Sequence, residues 1–359
     1  RRLRKELFDS LRRLDILQIF VDDSSVTEIM INGASNIFYE KKGKLFQAQT
    51  HFSSEQKLSD VIQQMAGNSN RMVNEASPIV DTRLADGSRV NIVLSPISID
   101  GAAVSIRKFP QTPILMEDLI RIESITEEAA AFLKVLVMAG YNIFISGGTG
   151  SGKTTFLNAL SQYIPREERI ITIEDSAELR LVDKPNLVRL ETRNQMFEGV
   201  KPITIRDLIR TALRMRPERI VVGECRGEEA LDMLQAMNTG HDGSLSTGHA
   251  NSCRDMMSRL ETMVLMGMEL PLTAIRSQIA SGLDILVHLG RMRDKSRKVL
   301  TITEVTGMQE GEIVLKDLYR YVEKPSDGET VCGELQRVGT LFNQEKCKRA
   351  GITLPGTGE

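Results

Sequence analysis

Apolar residues near the start of the chain follow a helical spacing. Leu3, Leu7, Leu11 and Leu14 recur at steps of four and three, and arginines fill the positions between them. This pattern predicts a basic amphipathic helix, which could lie on anionic lipid or, more plainly, pack its leucine seam on a partner helix. The chain begins with arginine rather than methionine, so we expect residues 1–19 to be the remnant of a trimmed helical extension.

The pattern changes to short strands and turns between Val26 and Lys108. Alternating segments indicate strands, a helix is expected near Glu55 to Ala66, and Asp86-Gly87 is typical of a hairpin turn. These features predict a small α+β domain over residues 20–109. Pro110 and Pro113 resist both helix and central strand, so residues 110–117 are expected to form a linker.

After the linker, strand-like and helix-like segments alternate over residues 118–359. This order predicts a parallel sheet with helices on both faces. The segment Met256 to Met268 carries five methionines with a helical pattern, which favours core packing or flexible subunit packing.

Composition excludes several classes of protein. Lys and Arg total 46 against 48 Asp and Glu, so no global basic field favours nucleic acid. The four cysteines are scattered singly, which argues against zinc or a disulfide framework and favours a reducing cytosol. The most apolar stretch, Ala129 to Ala139, is interrupted by Lys134 and is shorter than the about 18 residues of a membrane span.

A phosphate-binding loop follows the apolar strand that ends at Ser146. Its spacing of two glycines, a lysine and a threonine lets backbone N–H groups wrap a triphosphate. We expect Lys153 to reach the β- and γ-phosphates of ATP and Thr154 to offer its hydroxyl to Mg²⁺. The predicted nucleotide-binding residues are Gly147, Gly148, Thr149, Gly150, Ser151, Gly152, Lys153, Thr154 and Thr155.

Hydrolysis also needs acids near the phosphates, and two glutamates follow predicted strands. Many phosphate-loop ATPases carry an Asp before the second of them, but here that position is Gly223. We therefore assign Glu224 to Mg²⁺, partly through water, and Glu174 to holding and deprotonating the attacking water. Glu178 is a second candidate for that base, and helix capping or ion pairing is the alternative for all three. His249, at the end of the next strand, could hydrogen-bond the γ-phosphate.

Arginines often complete such sites, in cis or from a neighbouring subunit. The small domain offers Arg83, Arg89 and Arg107. A two-residue turn at Asp86-Gly87 would place Arg83 and Arg89 on opposite faces, so that only one of them points at a phosphate.

A second group of arginines precedes the strand before Glu224. It could donate in trans, bind DNA or form a charged helix face, and Arg210 is retained as a weaker candidate. The group consists of Arg206, Arg210, Arg214, Arg216 and Arg219.

Together these motifs resemble the type II/IV secretion ATPases, and within them the tight-adherence pilus assembly ATPases. The resemblance rests on SGGTGSGKTT, TIEDSAEL, LRMRPERIVVGECRG, QAMNTGHDGSLSTGHANS and TRLADGSRVNIVLSP, in the family's order. It implies an α/β fold with a RecA-like ATPase domain after a small PAS-like α+β domain. It further implies that Lys153 and Thr154 bind phosphate and Mg²⁺, while Glu174, Glu224 and His249 are catalytic.

The resemblance also implies a partner and a location. Such proteins form homohexameric rings on a membrane-embedded platform protein, at the cytoplasmic face of the inner membrane. The paired-cysteine zinc module of some secretion ATPases is absent, which favours the tight-adherence branch or its conjugation relatives. Two rival functions stay open: a conjugation-type or DNA-translocating ATPase, and a nucleotide-gated scaffold with little hydrolysis.

Overall fold

The chain divides into two compact units, Arg1–Thr112 and Pro113–Glu359. The computed structural model describes residues 14–41, 43–68, 71–109, 113–193, 201–325 and 330–354. Residues 1–13 of the predicted N-terminal helix and residues 110–112 of the predicted linker 110–117 lie outside the described residues, and the end of that linker belongs to a helix that begins at Met116.

The first unit is built on an antiparallel sheet. The order of its described strands is β3-β2-β1-β6-β5-β4. The strands are β1 (Val26–Asn32), β2 (Asn36–Lys41), β3 (Lys44–Gln47), β4 (Ile79–Arg83), β5 (Arg89–Val93) and β6 (Ala103–Arg107), and the helices are α1 (Gln18–Asp22) and α2 (Glu55–Gly67).

Helix α2 covers one face of this sheet and confirms the helix predicted near Glu55. It begins where the Ser54 hydroxyl accepts a hydrogen bond of 3.1 Å from the Lys57 N–H, which caps an otherwise unpaired donor. Its buried side chains pack with Ile29, Ile31 and other strand residues in one core. Leu14 and Leu17 belong to the same core, so the described part of the predicted remnant 1–19 packs within the first unit.

The strand register of this sheet corrects the predicted arrangement of the arginines. Arg83 pairs directly with Arg89, and Arg89 pairs with Arg107 on its other side. The prediction of opposite faces is wrong because the turn spans residues 84–88: the Asp86 carboxylate binds the N–H and the hydroxyl of Ser88, both at 2.9 Å. The three arginines, called here the arginine row, therefore share one face.

The second unit contains a larger mixed sheet and the remaining described helices. The order of its described strands is β15-β14-β13-β12-β7-β11-β10-β8-β9. The strands are β7 (Ile143–Gly147), β8 (Ile170–Glu174), β9 (Leu187–Glu191), β10 (Arg219–Val222), β11 (Leu245–Gly248), β12 (Ile285–Arg291), β13 (Arg297–Gln309), β14 (Glu312–Lys324) and β15 (Cys332–Arg337). The helices are α3 (Met116–Arg121), α4 (Glu127–Met138), α5 (Lys153–Ser161), α6 (Ile205–Ala212), α7 (Glu229–Asn238), α8 (Cys253–Gly267), α9 (Leu272–Gly282) and α10 (Glu345–Ala350).

Strands β7 to β12 pair in parallel, as the alternation of segments predicts, and β13 to β15 extend the sheet as an antiparallel ribbon that was not predicted. Apolar side chains form one core on each face of the sheet, beneath α4 and α5 on one side and α7 to α9 on the other. This two-sided burial explains why the central strands are apolar throughout.

The methionines of α8 have two different environments. Met256, Met257 and Met263 are buried, whereas Met266 is 65% and Met268 48% exposed. The predicted core packing is thus confirmed for the first three. Within the described ranges, no helix is long and apolar enough to cross a bilayer.

Candidate active site

The predicted site residues follow neighbouring strands of the sheet. The phosphate loop follows β7, His249 follows β11, Glu224 follows β10, and Glu174 ends β8. These four strands are adjacent in the order β7-β11-β10-β8, and they run parallel. Their carboxyl ends therefore meet at one edge of the sheet, where ligands bind in open α/β folds.

The phosphate loop is a tight turn that leads into α5. Gly152 precedes the helix with φ +93°, a left-handed conformation that disfavours residues with a Cβ. The Ser151 hydroxyl donates to the Gly148 carbonyl at 2.8 Å, which closes the loop on itself. The N-terminus of α5 lies directly behind this turn, so its unpaired N–H groups and positive dipole end suit an anion.

Lys153 is buried beside the loop and contacts His249. Its ammonium donates to the carbonyls of Gly147 and Gly148, both at 3.1 Å, and lies 3.3 Å from His249 Nδ1. An ammonium only donates, so Nδ1 accepts and the ring proton is on Nε2. Burial and the adjacent ammonium lower the pKa of His249, which favours this neutral ring.

Glu224 stands on the other side of the imidazole. Its Oε1 lies 2.8 Å from His249 Nε2, and its Oε2 accepts a hydrogen bond of 2.6 Å from Arg226. Arg226 also reaches to 3.8 Å from Asp175 at the end of β8. Lys153, His249, Glu224 and Arg226 thus form a continuous chain of contacts across three strand ends.

Glu174 is nearly enclosed, with 3% of its surface exposed. Its Oε1 accepts the backbone N–H groups of Glu178 and Leu179 at 2.8 and 3.0 Å, whereas Oε2 is buried without a hydrogen-bond partner among the described residues. Burial raises the pKa of Glu174 above its usual value. A raised pKa makes this carboxylate a stronger base than an exposed one. Glu178 lies in the loop after β8, and its backbone N–H contacts Glu174.

Three arginines of the second group form ion pairs with acids of the same chain. Arg206 and Arg210 both donate to Asp232 at 2.7 Å, and Arg219 pairs with the carboxylate of Glu168. The contacts of Arg206 and Arg210 match the charged-helix-face interpretation, whereas Arg219 is a buried residue of β10 and lies on no helix face. Arg216 has φ +55°, a conformation uncommon for a residue with a Cβ.

Sequence reasoning missed two arginines that touch this site. Arg226 was not singled out, although it lies two residues after Glu224. Arg297, on β13, donates to the Gly150 carbonyl at 2.9 Å. No local motif marks it, because β13 was not predicted; the only available signal is the basic sequence RMRDKSRK around it.

The donor set at the strand ends fits a magnesium ion. The hydroxyl of Thr154 and the carboxylate of Glu224 are oxygen ligands of the kind that Mg²⁺ prefers, with water completing its coordination. The neighbouring Lys153 is not a competing ligand, because its ammonium donates to the loop carbonyls and has no lone pair for a metal. Apart from the residues that are not described, no group of three or more His, Cys, Asp or Glu is arranged to hold a metal.

Comparisons with known proteins agree with this arrangement. The family described as type II/IV secretion system protein matches residues 11–340. The chain is 32% identical over 328 residues to a Mycobacterium tuberculosis protein named for conjugal transfer, covering 90% of this chain and 92% of the relative. It is 33% identical over 304 residues to the type IV secretion system protein VirB11 of Brucella suis, covering 77% and 84%. The solved structure of the pilus retraction motor PilT with bound ADP is similar in fold, with a TM-score of 0.60, 19% identity and coverage of 94% and 87%.

A phosphate loop at the edge of a RecA-like sheet, after a small α+β unit, defines a phosphate-loop ATPase. The chain belongs to the type II/IV secretion system protein family. The type II/IV secretion family predicted from the sequence motifs is thereby confirmed, as are the fold class and the assignment as an ATPase.

Proposed function

We propose that this ATPase is a motor of a tight-adherence type pilus assembly machine, and that it works as a homohexameric ring on an inner-membrane platform protein. Its place would be the cytoplasmic face of that membrane. The chain of contacts from Lys153 through His249 to Glu224 carries the hydrolytic part of this proposal, because it joins phosphate binding to the acids that hydrolysis needs. The resemblance of the sequence motifs supports the pilus role.

In this proposal each residue of the site has one task. Lys153 leaves the loop carbonyls to bind the β- and γ-phosphates of ATP, and the loop N–H groups orient them. Thr154 and Glu224 would hold Mg²⁺, which would neutralise phosphate charge. Loss of the Lys153 contact frees His249 Nδ1, so His249 responds to the presence of nucleotide.

Glu174 is proposed as the base that orients and deprotonates the attacking water. Its raised pKa suits proton abstraction, and its buried Oε2, which has no hydrogen-bond partner among the described residues, would accept the hydrogen bond of the attacking water. Glu178 remains the alternative base, although its backbone N–H serves to hold Glu174.

The arginine row is proposed to contact phosphate oxygens, from the same subunit or from a neighbour. Arg83, Arg89 and Arg107 share a face, so more than one of them could reach the same triphosphate. Arg107 also pairs with Glu28 at 2.8 Å.

The first test is specific ATPase activity over a wide range of protein concentration, with Lys153→Ala as the blank. A cooperative rise in activity per subunit is expected if the site is completed between neighbours. Flat activity together with a monomer mass at every concentration would contradict the ring. Activity in the blank equal to that of the wild type would contradict the nucleotide site itself.

A second candidate function is DNA transfer by a conjugation machine. The Mycobacterium tuberculosis relative, named for conjugal transfer, favours it, although three arginines of the second group are occupied by acids. Stimulation of turnover by DNA, falling steeply with salt, is the expected sign of this function. In the host, a Lys153→Ala allele should remove surface pili if the first proposal is correct, and should remove DNA transfer alone if the second one is. A nucleotide-gated scaffold with little hydrolysis would instead keep its function in a Glu224→Gln allele, which is expected to bind nucleotide without turnover.

A further inference from the structure

The hairpin between β12 and β13 lies against the phosphate loop. Arg297 Nε donates to the Gly150 carbonyl at 2.9 Å, and a Cβ on Gly152 would lie 3.2 Å from Arg297 Cδ. Arg291 pairs with Arg297 across the hairpin, with its Nη1 3.7 Å from the position of a Cβ on Gly150. Two cationic side chains of the same subunit thus meet the loop at its glycines.

The contact with Gly150 constrains the next backbone donor. In a trans peptide the C=O and the following N–H point in opposite directions, so holding the Gly150 carbonyl also fixes the Ser151 N–H. That N–H points inward, to the Gly148 carbonyl at 3.3 Å. A bond of this length is weak for an N–H donor, so the Gly148 carbonyl competes little with a phosphate oxygen for this N–H in its present orientation.

The backbone of Arg297 is itself anchored to the turn that follows α3. The Ser124 hydroxyl donates to the Arg297 carbonyl at 2.7 Å, and the Ser124 carbonyl accepts the Val299 N–H at 2.8 Å. Beside them Lys298, 5% exposed, donates to the Glu123 carbonyl at 2.8 Å. The start of β13 is therefore fixed at three points, and the Arg297 side chain extends from a rigid base.

We propose that Arg297 is a positioning residue for nucleotide binding, and that Ser124 holds it in place. Arg297 fixes the Gly150–Ser151 peptide in the orientation that presents the Ser151 N–H to a phosphate, so the loop does not have to reorganise when nucleotide arrives. The inference rests on the proposed nucleotide site. It adds that the Ser124–Arg297 contact connects the turn after α3 to the phosphate loop.

The test is the affinity for magnesium ADP, measured by fluorescence titration with a labelled ADP. Arg297→Ala is expected to weaken binding about tenfold, since one charge-assisted hydrogen bond is lost at the loop. The control Arg293→Ala removes another arginine of the same hairpin, which pairs with Glu323 away from the loop, and is expected to stay within about twofold of the wild type. Arg297→Lys, which retains a charged donor, should recover part of the affinity.

A double-mutant cycle separates positioning from general stability. Ser124→Ala should weaken binding about twofold to threefold on its own, and should add nothing in the Arg297→Ala background, because the anchored side chain is gone. Additive losses would overturn the role of Ser124. If Arg297→Ala binds magnesium ADP as the wild type does while Lys153→Ala binds it weakly, the role of Arg297 is overturned and the nucleotide site stands. If Lys153→Ala also binds as the wild type does, the proposed nucleotide site itself is overturned. If Arg297→Ala does not fold, Arg297→Lys with affinity below wild type supports the inference and equal affinity contradicts it.

Discussion

Gly223 and Glu174 are packed so closely that a Cβ on Gly223 would lie 2.9 Å from Cγ of Glu174. The two residues come from adjacent strands, where the Gly223 N–H donates to the Ile173 carbonyl at 2.8 Å. Gly223 is the position at which many phosphate-loop ATPases carry an Asp. Glu174 therefore occupies the space that a side chain at position 223 would need, so the glycine leaves room for this carboxylate at the edge of the sheet.

The first prediction concerns this close contact. Gly223→Ala should push the Glu174 carboxylate out of its position, and kcat should fall by about tenfold or more while ADP affinity changes little. Gly67→Ala, at the end of α2 where a Cβ meets nothing within 4 Å, is the matched control and should leave kcat unchanged. Steady-state kinetics with an ADP titration measures both; an unchanged kcat in Gly223→Ala would contradict the role of the contact.

The second prediction separates binding from chemistry. Lys153→Ala should weaken nucleotide binding, because the loop loses its only ammonium donor to the phosphates. Glu224→Gln should still bind nucleotide but lose turnover by about a hundredfold, because the amide is a poor magnesium ligand and holds His249 differently. Measuring ADP affinity and kcat for each variant distinguishes a role in binding from a role in turnover. Turnover at the wild-type rate in Glu224→Gln would reject the assignment of Glu224 to magnesium binding.

The sequence predicts those parts of the site that depend on local backbone chemistry. The phosphate loop is recognisable because its glycines, Lys153 and Thr154 must stand in one short segment between a strand and a helix. The acids at strand ends are predictable because parallel strands end at one edge of the sheet.

Contacts made across the chain could not be predicted in the same way. Arg297 reaches Gly150 from 147 residues away, through a β-ribbon whose position beside the phosphate loop is not indicated by any local sequence pattern. The register of the arginine row depended on one side chain: Asp86 binds Ser88 and lengthens the turn, which moves Arg83 opposite Arg89. A one-residue change in a turn reverses the face of every side chain after it.

The third prediction follows from that register. Since the arginine row lies on one face, Arg83→Ala and Arg89→Ala should both lower kcat, by about tenfold or more if each contacts the transferred phosphate. Each variant is to be mixed with Glu224→Ala subunits. Recovery of activity in the mixture shows that the arginine acts on a neighbouring subunit, whereas no recovery shows action within its own subunit. Full activity of both single variants would contradict the phosphate-binding role of the row.

The fourth prediction concerns stability. Asp232 is 6% exposed and binds Arg206, so Asp232→Ala would leave a largely buried guanidinium with one partner fewer. The free energy of unfolding should fall by about 2–3 kcal/mol. Glu228→Ala removes the other, more exposed partner of Arg206 and should cost less than about 1 kcal/mol. Urea denaturation of the three proteins measures the difference, and equal losses would show that burial does not set the cost.

The fifth prediction concerns pH. Burial raises the pKa of Glu174 above the ordinary value of 4.5, so the folded protein holds this proton at pH values where the unfolded chain has released it. Its contribution to stability is therefore complete below the unfolded pKa and is lost as pH rises through the folded pKa.

Glu174→Gln has no such loss, and its amide oxygen can accept the two N–H bonds from residues 178 and 179. The variant should match the wild type near pH 4 and become progressively more stable than it towards pH 8, while losing turnover. Urea midpoints across this range give the comparison. A stability difference that does not change with pH would mean that burial imposes no penalty on the charged carboxylate, and would remove the basis for treating Glu174 as a strengthened base.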